Sequence, residues 1–427
     1  MKTSAKNKTL LTMVLGLFFT LSLVHAQIDN YSEYKGIIND GFDGKALESV
    51  SVKLVANNIG TVTNSEGRFT LKVPAGQEDA EVEFSLLGYQ TLTMPLTDLK
   101  PEGNKIKLNQ KFTQLTQVRI ATYSSAENLI NEVFKRKEQN NPDRSARMTA
   151  FYRETIKKRR RNVSLTEAVV NVYKQSYQNA NRDVITLHKA RKSTDYKRLD
   201  TVALKLQGGP FSTLYLDIMK YPEYIFTHET IPMYKFTMGQ PTTIKDRYLY
   251  VVNFRLRDGI EEPGYKGKLF IDTETLALNA AEYSLDITPW VAADEDFFVR
   301  KKPRDIRVTP LRADYRVDYR EKDGLWYYGY GSVELTFKVN DKRKLFNTTY
   351  TLASEMAVTD WEQVQDWKKT IRSRDRLRPT IVMSDEVTGF SDPDFWGPYN
   401  LIEPEKSIES AINKIRRKLR REQRSSP

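Results

Sequence analysis

Apolar and polar positions alternate in short runs along residues 33–120, and each run ends at a turn signal. The runs are Tyr34–Ile38, Val50–Val55, Phe69–Val73, Val82–Ser85, Gln90–Met94 and Ile106–Leu108. Asp43-Gly44, the stretch from Asn64 to Gly67, that from Pro74 to Gly76, and Leu87-Gly88 separate them. A period of two puts every second side chain on one face, so this spacing predicts an antiparallel β-sandwich of short strands. Gly67 and Gly88 fall where a turn needs positive φ or a close backbone approach. Phe84, Leu86 and Tyr89 read as core.

The period changes over residues 124–141. Ser124 and Ser125 are cap residues, Glu127 suits the positive first turn, and Leu129, Ile130, Val133 and Phe134 share one face; Asn140, Asn141 and Pro142 stop the run. A linker helix is predicted there. Strand patterns return over residues 146–390 in longer runs: Met148–Ile156, Leu165–Tyr173, Tyr248–Leu256, Lys266–Ile271, Leu276–Ile287, Ala313–Tyr319, Trp326–Phe337 and Phe346–Ser354. Hairpin signals stand at Asp272–Glu274 and Asp323-Gly324. These runs predict one large curved antiparallel sheet, or a half-barrel, with Gln207–Tyr234 less regular and suited to short helices. Residues 391–427 pass from an aromatic segment into a basic amphipathic helix. That helix starts at Pro404 between Glu403 and Glu405 and carries Ile408, Ile412, Ile415 and Leu419 on a narrow stripe. The fold class is mainly β.

Residues 1–26 follow a different rule. Lys2, Lys6 and Lys8 precede the apolar run Leu10–Val24, and Val24-His25-Ala26 offers a small-residue cleavage site. The run falls short of the ~20 residues a spanning helix needs. The pattern is that of a secretory signal peptide, which puts the mature N-terminus at Gln27 and the protein in the periplasm or at the outer membrane.

Composition narrows the chemistry. The 427 residues include no Cys and only three His, at positions 25, 188 and 228. Disulfides, thiolate metal sites and cysteine nucleophiles are excluded. His188 is followed by Lys189, Ala190 and Arg191, and His228-Glu229 by Thr230, Ile231 and Pro232, so no zinc-peptidase motif forms. Neither a Gly-x-Ser-x-Gly elbow nor a Gly-rich nucleotide loop occurs. No cofactor and no metal are expected, and the chain reads as a non-enzyme.

Two features remain. The formal charge is +12 and falls to +9 once the three signal-peptide lysines are removed. The excess gathers at Lys157–Arg161 and in the tail, at Lys414, Arg416, Arg417, Lys418, Arg420, Arg421 and Arg424. Such blocks are solvated faces or contacts for an anionic surface, and export argues against nucleic acid. The second feature is polar: Glu154 and Glu167 each interrupt an apolar strand, and Arg153 adjoins the first. An Arg153–Glu167 ion pair holding two strands in register is one reading. A polar site in a groove, with carboxylates for hydrolysis, is the other. Asp294, Glu295 and Asp296 read as a solvated acidic loop. The aromatic groups Tyr221, Tyr224, Phe226, Tyr234, Phe236 and Trp326, Tyr327, Tyr328, Tyr330 read as core or as flat faces for a ligand.

Three motifs in order carry a family resemblance. Gly36–Asp40 with Ala46–Val52, then Gly60–Phe69, then Phe84–Tyr89 resemble the carboxypeptidase-regulatory-like domain. The resemblance implies a prealbumin-like, seven-stranded, non-catalytic sandwich of the kind that precedes many outer-membrane transporters. Ala150–Glu154, Leu165–Lys174 and Asp392–Glu405 are similar to the second domain of secreted carboxypeptidase-like regulatory-domain proteins of Gram-negative bacteria. The long strands are also similar in pattern to the half-open barrels of lipoprotein carriers. The expected function is that of an exported non-enzymatic binding or interaction protein of the cell envelope, with a β groove for an apolar, glycan or peptide ligand or for a partner. A carboxylate-based hydrolase and a structural envelope component stand as alternatives.

Overall fold

The computed structural model describes residues 31–111, 125–194, 207–245, 247–289, 305–344, 346–364, 371–387 and 395–406, with positions 291, 367, 408–410, 413 and 417. The signal segment and Asp294–Asp296 lie outside the described residues.

The first unit is built from β1 (Tyr31–Asp40), β2 (Ser51–Leu54), β3 (Gly60–Val62), β4 (Arg68–Pro74), β5 (Glu81–Ser85), β6 (Leu92–Pro95) and β7 (Asn104–Leu108). They form two sheets, ordered β4-β1-β7 and β3-β2-β5-β6. Among the described residues of this unit only β1 and β7 run parallel. Ile38, Val52, Leu54, Phe69, Leu71 and Phe84 fill the space between the sheets. The turn into β4 is closed by the Asn64 side chain, which accepts from the backbone N–H of Glu66 and Arg68 at 2.9 and 3.0 Å. Gly67 completes it at φ 71°, where a Cβ would stand 2.5 Å from the Ile38 carbonyl oxygen.

The linker pattern becomes two helices, α1 (Ala126–Lys135) and α2 (Lys137–Asn140). Ser125 caps α1 by accepting from Asn128 N–H at 3.1 Å. The large sheet follows: β8 (Ala146–Lys158), β9 (Arg161–Lys174), β10 (Val184–Thr194), then α3 (Pro210–Leu214), β11 (Tyr234–Met238), β12 (Thr242–Ile244), β13 (Arg247–Leu256), β14 (Tyr265–Asp272), β15 (Leu278–Leu285), β16 (Ile306–Lys322), β17 (Leu325–Asp341) and β18 (Thr348–Gln363). A short helix, α4 (Met383–Glu386), follows the sheet. All pairings in this sheet are antiparallel, in the order β10-β9-β8-β18-β17-β16-β15-β14-β13-β11, with β12 added on β13. The sheet curves without closing.

The concave face is filled. Met148, Tyr152 and Val170 from one end of the sheet, and Tyr250, Phe254 and Ile271 from the other, share one buried cluster with the irregular stretch between β10 and β11. Phe211, Leu214, Ile218, Met219, Tyr221 and Phe226 enter it from that stretch, and Leu129, Ile130 and Val133 from α1. A curved apolar face must be covered, and here the chain's own segments cover it. The aromatic residues singled out in the sequence are core here, except that Tyr330 packs in a separate cluster with Val62 and Ile402 and Tyr224 is exposed. The filling leaves a cleft of about 230 Å³ lined by Gly208, Phe211, Ser212, Tyr215 and Pro379.

Candidate functional site

On β8 the two-residue period divides Arg153 and Glu154 between opposite faces. Arg153 looks outward from the convex face and Glu154 inward, so the structure brings Arg153 to Glu167 and leaves Glu154 apart.

Pairing register puts Arg191 of β10 beside Glu167 of β9, Glu167 beside Arg153 of β8, and Arg153 beside Glu355 of β18. The result is a ladder of alternating charge across four strands. Arg153 donates to Glu167 Oε1 from Nε at 2.9 Å and from Nη2 at 2.8 Å. Arg191 Nε donates to Glu167 Oε2 at 2.7 Å. Arg153 Nη1 reaches Glu355 Oε1 at 3.4 Å. Glu167 is fully buried and Arg153 is 2 % exposed. Burial pushes the Glu167 carboxyl up, but the guanidiniums of Arg153 and Arg191 outweigh it and hold its pKa below the usual range.

This ladder is a junction of three segments. Arg153 Nη2 also donates to the Ile402 carbonyl at 2.6 Å, and the Arg191 guanidinium lies over the Trp396 ring at 4.8 Å. Trp396 meets Phe151 edge-on at 5.4 Å. The other side of the 395–405 segment is bound to the sandwich. Asn400 accepts from Lys72 N–H at 2.7 Å and donates to the Lys72 carbonyl at 2.9 Å. Thr61 Oγ1 donates to the Leu401 carbonyl at 2.8 Å, and Asn64 Nδ2 to that of Glu403 at 2.9 Å. The segment thus lies between sandwich and sheet, its Trp396, Leu401 and Ile402 packed against Val62, Val169 and Tyr330. Farther along the convex face the sandwich touches the sheet directly, where Gly88 N–H donates to the Thr243 carbonyl at 2.6 Å.

A cleft of about 130 Å³ opens beside the junction, lined by Glu48, Arg153, Lys157, Glu355 and Glu405 among others. Burial raises the carboxyl pKa of both Glu48 and Glu355. Arg153 opposes the shift at Glu355, and the neighbouring Glu48 adds to it.

Glu154, on the inner face, is 2 % exposed. It accepts from Tyr152 Oη at 3.1 Å. Burial raises its pKa to about 7; the Tyr152 hydrogen bond works against that and Asp385 adds to it. A second inner group escaped the sequence reading. Lys174 Nζ lies 2.6 Å from both Asp183 Oδ2 and Asp217 Oδ2. Tyr177 and Tyr319 donate to Asp217 at 2.7 and 2.9 Å. Lys174 and Asp183 belong to the β9–β10 hairpin and Asp217 to the filling stretch, so this group ties the filling to the sheet. Its only sequence signal was a lysine ending an apolar strand.

Of the tail cations, Arg417 is helical and exposed; Lys414, Arg416, Lys418, Arg420, Arg421 and Arg424 lie outside the described residues. The helical positions begin at Lys406, two residues past Pro404. Among the described residues no cluster of three or more His, Cys, Asp or Glu is placed to hold a metal. No described helix is long and apolar enough to cross a membrane.

Residues 34–120 match the family model of the CarboxypepD_reg-like domain. No curated protein matches the chain. Among solved structures, a DUF1329 family protein from Desulfovibrio piger is similar over 56% of this chain and 92% of its own, at 10% identity and a TM-score of 0.23. The matched residues include the whole seven-stranded sandwich from Tyr34 onward.

Proposed function

We propose that the chain is an exported, non-enzymatic interaction protein of the cell envelope. Its sandwich and large sheet act as one body, and partners are met on the outside of that body. The observation that carries this reading is the packed concave face, where the chain's own segments occupy the apolar space a carrier would use. The junction supports it, because Glu167 is committed to two guanidiniums. Export rests on the residue pattern of positions 1–26. The partner is an envelope protein or the anionic outer-membrane surface, the latter through the basic tail from Lys414 to Arg424.

The test combines flotation of the mature chain with outer-membrane vesicles and an assay for soluble fragments released from peptidoglycan. The reading expects flotation that survives Glu154→Gln, weakens on deletion of residues 414–427, and comes without fragment release. Release abolished by Glu154→Gln would establish the hydrolase instead, since a carboxyl with a pKa near 7 suits acid–base work.

A further inference from the structure

A second cleft, of about 80 Å³, separates the sandwich from the convex face of the large sheet. That is several times the ~10–15 Å³ a single water needs. Lys53 lines it from the sandwich, and Lys245, Arg247, Arg316, Arg320 and Trp326 from the sheet. Most of these cations are occupied. Lys245 pairs with Glu83 at 3.0 Å and Arg247 with Asp272 at 3.1 Å. Arg316 Nε donates to both oxygens of Asp318 at 3.0 Å. Of the lining carboxylates, Asp318 is held in this way and Glu321 accepts from Gly324 N–H at 2.7 Å.

Arg320 is different. Its stem lies over Gly329, where a Cβ would stand 2.8 Å from Arg320 Cγ. Gly329 is the residue left unpaired at the register shift between β16 and β17, so the bulge makes room for this side chain. Nη1 donates to the Val358 carbonyl at 2.8 Å. Nη2 is buried and finds no hydrogen-bond partner among the described residues, and the same is true of Trp326 Nε1. Arg320 makes no ion pair among the described residues, and burial lowers its pKa to about 10 although the charges of Asp318 and Glu83 work against that. Burial, with Lys245 next, lowers that of Lys53 to about 8. An unmatched buried donor costs about 1–3 kcal/mol, and more when it is charged. Two such donors beside one cavity describe a place for an acceptor.

We propose that this interdomain cleft binds a phosphate-sized oxyanion, held by Arg320 Nη2 and Trp326 Nε1. The anion supplies the direct ion pair that Asp318 and Glu83, acting on Arg320 only at a distance, do not, and guanidinium matches oxyanion geometry. Ser49, Ser51 and Lys53 bring the sandwich to the same cavity, so the ligand would bridge the two domains. The free anion and the phosphate of a lipid headgroup share this chemistry.

The experiment titrates the mature chain, residues 27–427, with inorganic phosphate in a calorimeter against sodium chloride at matched ionic strength. In parallel it floats the chain with phosphatidylglycerol and phosphatidylcholine vesicles. Saturable phosphate binding is expected, weakened about tenfold by Arg320→Gln and by Trp326→Phe, as for one lost hydrogen bond to a charged group. Trp326→Phe keeps the ring and removes only the donor, so it decides the matter if Arg320→Gln fails to fold. Binding to phosphatidylglycerol vesicles alone, weakened by Trp326→Phe, would identify the source as a headgroup in the same cleft. A response equal to that of chloride with no vesicle binding, or binding that Trp326→Phe leaves unchanged, overturns the proposal.

Discussion

Arg153 and Glu167 face each other across β8 and β9, joined by two hydrogen bonds of 2.9 and 2.8 Å to a single carboxylate oxygen. The other oxygen is taken by Arg191. Removing the carboxylate takes the shortest ion pairs from two buried guanidiniums at once and leaves Arg153 the longer Glu355 contact, whereas removing Arg153 leaves Glu167 paired with Arg191. Glu167→Leu should therefore cost about 3–5 kcal/mol, the range for breaking a buried pair. Arg153→Leu should cost less than Glu167→Leu. Denaturant midpoints of the two variants check the order; equal losses would count against the ladder.

Glu154 makes stability depend on pH. Its folded pKa is raised from 4.5 to about 7. Below 4.5 both states hold the proton; between 4.5 and 7 the unfolded chain releases it and the folded chain keeps it, so stability falls as pH rises. At about 1.4 kcal/mol per pKa unit the loss across that window is about 3 kcal/mol. Glu154→Gln should remove this fall and raise the thermal midpoint at pH 8 while changing little at pH 4. A variant with the wild-type pH slope would place the titration elsewhere.

The C-terminal segment divides at the junction. Trp396, Ile402 and Ile408 are buried, and burying each such side chain contributes about 1.5–3 kcal/mol. Deleting residues 395–427 should lower the thermal midpoint by several degrees and loosen the sandwich. Deleting residues 414–427 should leave the midpoint nearly unchanged. Scanning calorimetry of the two truncations distinguishes these effects.

Asp217 joins the filling stretch to the β9–β10 hairpin through Lys174. Asp217→Asn removes one of two carboxylates at a buried ammonium and weakens the acceptor for Tyr177 and Tyr319. A loss of about 3 kcal/mol or more is expected, with faster proteolysis between β10 and β11. Unchanged proteolysis would show that apolar packing alone retains the stretch.

The residues differ in how far their roles were legible. The sandwich was readable because its turns are local: Asn64 and Gly67 close one turn four residues long, with side chain and φ set by near neighbours. Arg153 and Glu167 stood out because a charge inside an apolar strand needs a partner, and one tight hairpin supplies it. Arg191 and Glu355 did not stand out. Glu355 reaches Arg153 only because β18 returns to pair with β8 across 202 positions, and no local period encodes that return. The same holds for Thr61 and Leu401, 340 positions apart. The filling of the concave face was hidden for another reason. Its stretch has neither a helical nor a strand period, so its aromatic residues could equally have lined an open groove.

That filling is the central claim, and hydrogen exchange over residues 207–234 of the mature chain tests it most directly. If Phe211, Leu214, Ile218, Tyr221 and Phe226 are core, the amides that hydrogen-bond within this stretch should be protected on the same timescale as those of β8 and β17. Those of Tyr215, Tyr221 and Phe226, which donate to Phe211, Asp217 and Pro222 carbonyls, are the ones to follow. Exchange of these amides within seconds, while the strands stay protected, would mean that the stretch leaves the concave face. The protein would then hold an accessible groove in place of a filled core.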